Sequence, residues 1–557
     1  MTPDTIVIGS GAGGLSAALC LARAGRKVLV LEQHYVPGGW CHSFFLNGHR
    51  FSPGVHYIGM MGEGESTREL YEGLGVANDL VFFRMNPAAY EHCWIGEHRV
   101  DMPAGFENLY AALADRFPHE RKRLRKYLDT VRRVGDQLQL IHRMSGFLDH
   151  LTIPFRTRHL GKYGLFSLKR VLEWHIKDPL LQKVLSIQCG DHGLPPSLAP
   201  FPVHCALMQH YFDGGYYPMG GGAGIVKAMT TAVKRHGGVV RTGAAVKRIL
   251  VEGEGKDKRA VGVELTDGER IMASTIVSNA DPNRTFLGMV GEEHLDAKLR
   301  KKLGATRYSV TSIMLFITVD MDVRAAGLDS GNIWMVRDED MEQLFRDMSR
   351  TDILTDDEFP GAFISCPTLK DPTSFNGRYH DIEMVSYLDY KAFEPFEGLD
   401  ERSPEYLSWK DRIKEKMLNG LERALPGVRD HVVQAHIGTP ITNEHYIQST
   451  RGSVYGTEKT LKHIGPLAYK PVSGIAGLYL TGASTLTHGV AGASISGVVT
   501  AAAVLGCKKD DLLKPDPSQR LRVHDAEDEA TWPEWVRVKR ADKRRRFKEF
   551  REGATVA

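Results

Sequence analysis

No CxxC pair occurs anywhere in the chain, although it has seven cysteines: Cys20, Cys41, Cys93, Cys189, Cys205, Cys366 and Cys507. An odd, scattered set is neither a disulfide framework nor a zinc site. It suits a reducing compartment, so a cytoplasmic protein is expected. Uninterrupted apolar runs of the ~18 residues that a spanning helix needs are also missing. So is a charged-then-apolar leader, because a β-branched run suited to a strand starts within the first ten residues. Charge of one sign is scarce. With 71 Lys and Arg against 68 Asp and Glu, the net charge of +3 over 557 residues gives no reason to expect a nucleic-acid partner. What remains is an ordinary globular composition, 42% hydrophobic and 25% charged, on a chain too long for one core.

The stretch "DTIVIGSGAGGLSAALCLARAGRKVLVLEQ" (4–33) reads as strand, glycine turn, helix and strand. Thr5 to Ile8 is suited to a buried parallel strand. Gly9, Gly11 and Gly14 supply GxGxxG at the opening of a helix expected over Leu15 to Ala24. Gly25 is its C-cap and Val28 to Leu31 the next strand. In such a unit Gly9 permits the tight turn, Gly11 the approach of a pyrophosphate, and Gly14 close helix–strand packing. The helix N-terminus offers free N–H groups and a positive dipole end to phosphates. Glu32, 18 residues past Gly14, is placed to accept hydrogen bonds from ribose hydroxyls. Gly13 and Gln33 count among the expected contacts. Gly38 and Gly39, in "PGGWCHSFFLNGHRFSPGVHYIG" (37–59), leave backbone N–H groups unshielded near the same pyrophosphate.

A second fingerprint is missing. "YPMGGGAGIVKAM" (217–229) lacks a preceding buried strand and a following ribose acid, and reads as a loop entering a helix over Ile225 to Arg235. The one dinucleotide site must then hold the redox cofactor itself, which favours a flavin. The far end of the chain agrees. "GLYLTGASTLTHGVAGASISGVVTAAAVLG" (477–506) reads as a strand over Leu478 to Thr481, a small-residue loop and a helix. Gly489, Gly492 and Ala493 would let that helix start press on a planar ring, its dipole facing negative charge on a reduced flavin.

Together these ends resemble the amine-oxidase and phytoene-desaturase superfamily of FAD-dependent oxidoreductases, in which both ends of the chain build one FAD site. The resemblance implies an α/β fold: a Rossmann-like FAD-binding domain interleaved with a mixed α+β substrate domain. It implies cofactor contacts at Gly482, Ala483 and Val246, the last as a backbone contact to adenine, and the return of "SNADP" (278–282) to the cofactor. One departure stands out: the superfamily commonly carries an acid where this chain has Ala483, and Ser484 or Thr485 would have to substitute. The segment 28–59, with its Gln-His, Gly-Gly, Cys-His and Gly-x-His-Tyr-Ile-Gly, resembles the retinol saturase branch more than the carotenoid isomerases or bacterial desaturases. "TPITNEHYIQSTRGSVYG" (439–456) resembles the late segment that approaches the flavin. The resemblance implies hydride chemistry on a conjugated, mostly hydrocarbon substrate such as a retinoid, carotenoid or other isoprenoid, bound in a long apolar tunnel. It puts His56 and Tyr57 near the isoalloxazine edge as the catalytic candidates. Each is equally well read as a hydrogen-bonded structural residue, as is His42, which has no ligand-spaced partners for a metal.

The cofactor domain is expected over 1–70, 215–290 and 460–507, and the substrate domain over 71–214 and 291–459, with strands at Ser309–Asp320 and Asp381–Tyr390. Segment 155–178 mixes Arg156, Arg158, Lys162, Lys169 and Arg170 with Phe166, Leu168, Leu172 and Trp174, and is read either as a peripheral membrane contact or as a solvated helix with one face in the core. Residues 508–557 form a charged C-terminal tail. Two other classes stay open. One is a flavin oxidase of amines or porphyrinogens, for which Tyr216, Tyr217 and Tyr455 would supply an aromatic cage. The other is a lipid-binding protein of the GDP-dissociation-inhibitor type. Without a second nucleotide domain, NAD(P)H would serve only as a transient electron donor. Oligomeric state is left open.

Overall fold

The computed structural model describes residues 2–143, 152–153, 155–337, 340–399 and 403–556. Its nucleotide-binding layer is a five-stranded sheet in the order Leu478–Leu480, Thr275–Ser278, Thr5–Ile8, Val28–Leu31, Val239–Arg241. All neighbours are parallel, with Val7 level with Val277 on one side and Val30 on the other. Strands covered on both faces have no polar side to offer, which is why Thr5–Ile8 is buried throughout.

The strands Thr5–Ile8 and Val28–Leu31 fall where the sequence puts them, but the opening helix runs Ala12–Arg23 and starts three residues early. Gly13 and Gly14 belong to its first turn, because the missing side chains are what allow the helix to begin against its neighbours. The closing helix, Gly489–Leu505, crosses it through small residues. A Cβ on Gly497 would stand 2.2 Å from the Gly13 carbonyl oxygen and 2.7 Å from Ser16 Cβ. The helix expected from Ile225 likewise starts early, as Gly222–Arg235, and a buried strand, Tyr216–Pro218, does precede it. That strand pairs antiparallel with Val81–Arg84, outside the nucleotide sheet.

A second layer is a seven-stranded sheet ordered Val432–Gly438, Thr311–Val319, His380–Leu388, Gly361–Ser365, Asn332–Val336, Glu91–Ile95, His98–Met102. Its long central pair, Thr311–Val319 against His380–Leu388, accounts for the two strands read in the sequence at 309–320 and 381–390. The helices Arg121–Arg143, Leu168–His175, Pro179–Ser186 and Phe201–His210 belong to the same half of the molecule and share one apolar core with Glu91–Ile95.

The C-terminal segment is more than a charged tail. Arg522–Asp525 adds a parallel strand to Val81–Arg84, and Trp532 and Val536 are buried against Val81 and Phe83. Only then does the charged helix Glu534–Val556 run out, its Phe547 edge-on to Tyr379 at 5.3 Å. All seven cysteines are free.

Candidate cofactor cleft and active site

A cleft of about 440 Å³ opens at the carboxyl ends of the parallel strands, where Ile8, Leu31, Asn279 and Thr481 lie in its wall. In open parallel sheets this is where the loops leave backbone groups free for a ligand. Of the residues expected to hold the cofactor, Gly9, Gly11, Gly13, Glu32, Gln33, Gly38, Gly39, Val246, Gly482, Ala483, Gly489 and Ala493 all line it. Gly14 and Gly492 are not in its wall. A Cβ at Gly14 would stand 2.1 Å from the Gly9 carbonyl oxygen, and one at Gly492 2.5 Å from Thr487 Cγ2, so both glycines serve packing.

The two ends of the chain meet here. A Cβ on Gly13 would lie 2.8 Å from Gly482 Cα, and Gly482 itself has φ +94. Gly39, at φ +54, lies so near Gly11 that a Cβ would stand 3.3 Å from its Cα. These approaches bring the backbone of three loops together with no side chain between them. Ser10 ties two of the loops. Its N–H and hydroxyl donate to Glu32 Oε2 at 2.9 and 2.6 Å, and its oxygen accepts from the Gly38 N–H at 2.9 Å. Glu32 Oε1 also accepts from the His34 N–H at 2.9 Å, leaving lone pairs toward the cleft. Asn279, from "SNADP", packs its amide against Gly9, Gly11 and Gly13.

Three buried oxygens of the cleft wall have no partner: Asn279 Oδ1, Ser449 Oγ and Ser453 Oγ. Most buried side-chain polar atoms have a partner, so three orphaned oxygens in one wall suit a polar ligand there. Side-chain-free backbone at a helix N-terminus, a buried acid and these orphaned oxygens together fit a dinucleotide. At the position of the superfamily's usual acid, Ala483 lines the cleft beside Ser484, whereas Thr485 turns inward onto Ser496 and the Gly482 carbonyl.

The late segment reaches the cleft too, through Tyr446, Gln448, Tyr455 and Gly456. Tyr455 does not join Tyr216 and Tyr217 in an aromatic cage. Its hydroxyl pairs with that of Tyr387 at 2.8 Å and its ring lies 4.9 Å from His488, while Tyr216 and Tyr217 sit in the strand beside Val81–Arg84. His42 lines the cleft as a neutral imidazole. Burial lowers its pKa, and Nδ1–H donates to the Gly39 carbonyl at 2.7 Å.

His56 and Tyr57 differ from expectation: neither is in the cleft wall. Each holds a buried carboxylate instead. His56 Nδ1 lies 3.0 Å from Glu383 Oε2, and the Tyr57 hydroxyl lies between Glu91 and Asp191. Asn279 lines the cleft and had a signal in the sequence, the return of "SNADP"; Glu91 and Asp191, the partners of Tyr57, had none. His488, next to Gly489, was also missed. Burial pushes its pKa down to about 4, its Nε2–H donates to the Asp191 backbone carbonyl at 2.8 Å, and its Nδ1 is buried without a partner.

Comparisons with known proteins agree with this geometry. Residues 12–285 match the family model of flavin containing amine oxidoreductases. All-trans-retinol 13,14-reductase of Rattus norvegicus is 30% identical over 537 residues, covering 90% of this chain and 85% of the relative. Prolycopene isomerase 1 of an Oncidium hybrid cultivar is 27% identical over 527 residues, covering 91% and 85%. An oxidoreductase from Methanosarcina mazei shares the fold at a TM-score of 0.61 with 18% identity, over 90% of this chain and 99% of that one.

Proposed function

Because the chain belongs to the all-trans-retinol 13,14-reductase family of flavin-dependent oxidoreductases, we propose that it acts on carbon–carbon double bonds of a hydrophobic polyene or isoprenoid, by saturation, desaturation or isomerisation. The observation that carries this reading is the meeting of Gly13 with Gly482, which makes one cleft from both ends of the chain. When bound, FAD supplies hydride transfer at its reactive nitrogen.

The chain's own residues bind and orient. Gly11, Gly13 and Gly39 offer backbone N–H groups to the pyrophosphate, Gly9 and Gly38 hold the turns that aim them, with their own N–H groups on the Leu31 carbonyl and Ser10 Oγ, and Glu32 and Gln33 take the ribose end. Val246 faces the adenine. Gly482, Ala483, Gly489 and Ala493 leave the helix start bare toward the ring. Gly14 and Gly492 let each helix start lie tightly against the loop that leads into it. His56 and Tyr57 act on the substrate side as holders of Glu383, Glu91 and Asp191. In this reading the cofactor domain takes 1–70, 215–290 and 460–507, and the substrate domain takes most of the rest.

A hydrocarbon substrate reaches such a site from a bilayer. Phe155, Leu165 and Trp174, at 83%, 82% and 47% exposure, stand among Arg156, Arg158, Lys162, Lys169 and Arg170, a combination suited to an anionic lipid surface. Among the described residues no helix is long and apolar enough to cross a membrane. NAD(P)H fits as a transient donor in a reducing compartment. The deciding experiment is anaerobic flavin spectroscopy of the purified holoprotein, adding retinoids, carotenoids and NAD(P)H in turn. Bleaching by the nicotinamide followed by recovery with one polyene supports the reading. A yellow protein whose flavin responds to amines or porphyrinogens and to no polyene overturns it.

A further inference from the structure

Tyr57 stands between two acids. Its hydroxyl is 2.5 Å from Glu91 Oε1 and 2.8 Å from Asp191 Oδ2. A phenol has one proton to donate, so it satisfies one carboxylate; the second contact needs a proton on the carboxyl side. At least one of the two acids is therefore neutral. Glu91 is the better-held anion. It is fully buried and also accepts from Trp334 Nε1 at 3.1 Å and Gln188 Nε2 at 2.9 Å. Burial raises its pKa, and those donors pull it back. The Asp191 carboxyl has Tyr57 alone as a side-chain donor among the described residues, and burial together with the nearby charge of Glu91 pushes it up to about 8.

The other groups facing Asp191 leave that balance in place. Tyr90, Tyr211, Tyr387 and Tyr455 are held protonated by burial, as is the Cys189 thiol. His488 is kept neutral, and His192 beside it likewise. No lysine or arginine forms an ion pair with Asp191 among the described residues.

This acid lies beside the cleft. His488, whose ring donates to the Asp191 carbonyl, directly precedes Gly489 of the cleft wall. Two residues past Asp191, a Cβ on Gly193 would stand 3.2 Å from the ring of Tyr455, also in the wall. Asp191, Tyr387, Tyr455 and His488 lie deep in the protein yet are only half-buried, so their accessible surface faces an interior space. Aromatic rings border it, with Tyr57 stacked on Tyr211 at 4.3 Å.

We infer that Asp191 is the residue that gives a proton to the substrate's carbon chain, with Glu91 as the positioning residue whose nearby charge keeps that proton on it and Tyr57 as the one that holds its carboxyl in place. The inference rests on the proposed reduction of a carbon–carbon double bond. One olefinic carbon receives a hydride, with its electron pair, from the reduced cofactor, which a two-electron donor of the nicotinamide class replenishes. The other carbon receives the Asp191 proton. The π bond, the reduced cofactor's bond to the transferred hydrogen and the carboxyl O–H bond break, two C–H bonds form, and Asp191 is left as a carboxylate held by Tyr57 until solvent returns a proton.

The test uses the holoenzyme with carboxyl-13C aspartate. Wild type should show one aspartate titrating above pH 7, absent in Asp191→Asn. That variant should keep its flavin spectrum yet reoxidise with polyene a hundredfold or more slowly, and lose the alkaline limb of the pH profile. In Tyr57→Phe the limb should survive and move to higher pH, because the lost hydrogen bond favoured the charged form. If no aspartate titrates above pH 7, or if Asp191→Asn keeps the wild-type rate and limb, the inference is overturned. Failure of the polyene reading shows separately, as wild-type flavin that no polyene reoxidises, and the titration still decides whether Asp191 holds the proton.

Discussion

Two glycines of one motif should fail in different ways when each gains a methyl group. At Gly14 the added Cβ would stand 2.1 Å from the Gly9 carbonyl oxygen and 3.2 Å from Asn279 Cβ. Backbone oxygen cannot rotate aside, so the opening helix would have to retreat by roughly 1 Å toward the closing helix, and overpacking of a close-packed core costs about 1–3 kcal/mol. The closing helix has no slack, since Gly497 already rests on the Gly13 carbonyl. At Gly11 the obstacle is Asn279 Nδ2 at 2.7 Å, the end of an amide that can turn. Its φ of −61 suits alanine, so the fold should absorb the change. The methyl would then occupy the cleft. Gly14→Ala should therefore lower the stability of the flavin-free protein by about 1–3 kcal/mol in urea. Gly11→Ala should leave that stability within about 0.5 kcal/mol and weaken FAD by about 2 kcal/mol, roughly thirtyfold, in a fluorescence titration. A Gly14→Ala protein as stable as wild type, or a Gly11→Ala protein with undiminished FAD affinity, would refute the packing argument.

Lys370→Met should cost about 2–4 kcal/mol, because buried Lys370 Nζ donates to the His56 carbonyl, Asn332 Oδ1 and Ser365 Oγ. Burial lowers the Lys370 pKa to about 7, as it does for Lys459. The unfolded chain holds those protons up to the ordinary lysine value near 10.4, so each of these lysines contributes stability that grows with pH across that window, and the variant should lose the Lys370 contribution, its destabilisation relative to wild type growing from about pH 7 to about pH 10. His92 goes the other way. Burial lowers its pKa, but bonds to Asp101 and Asp329 raise it to about 9, so its contribution is complete below pH ~6.5 and vanishes as pH climbs through 9. His92→Gln should accordingly destabilise at pH 6 by on the order of 3 kcal/mol and change little at pH 10, by urea midpoint. Truncation after Cys507 should expose Val81 and Phe83 and give a less stable, aggregation-prone protein in light scattering, since the removed segment supplies Trp532 and Val536 to that core.

What could be read from the sequence was what is local. Thr5 to Glu32 form one strand–helix–strand unit whose parts are set by neighbours within thirty residues, so turn chemistry and burial pattern sufficed to place them. The helix start was misjudged by three residues because glycines read as loop when no partner is in view; here the partner is Gly497. The closing strand and helix were legible for the same reason as the opening ones. The strand Arg522–Asp525 was not: three polar residues around a single valine show no alternation, and their pairing partner is Val81–Arg84, more than four hundred positions away.

The misplacement of His56 and Tyr57 has a more instructive cause. Their position in the chain, just past a cofactor loop, fixes where the backbone goes but leaves open which side chains it meets. Tyr57 finds Glu91 across 34 positions and Asp191 across 134. Neither acid carries a local mark of function: Glu91 opens an ordinary strand and Asp191 ends a short helical turn. Their chemistry comes from being buried together around one hydroxyl, a condition that exists only once the seven-stranded sheet brings Glu91 beside the loop of Asp191. A cofactor cradle made of backbone is written in glycines and can be seen in advance. A proton site made of three distant side chains is a property of the fold, and appears when the fold does.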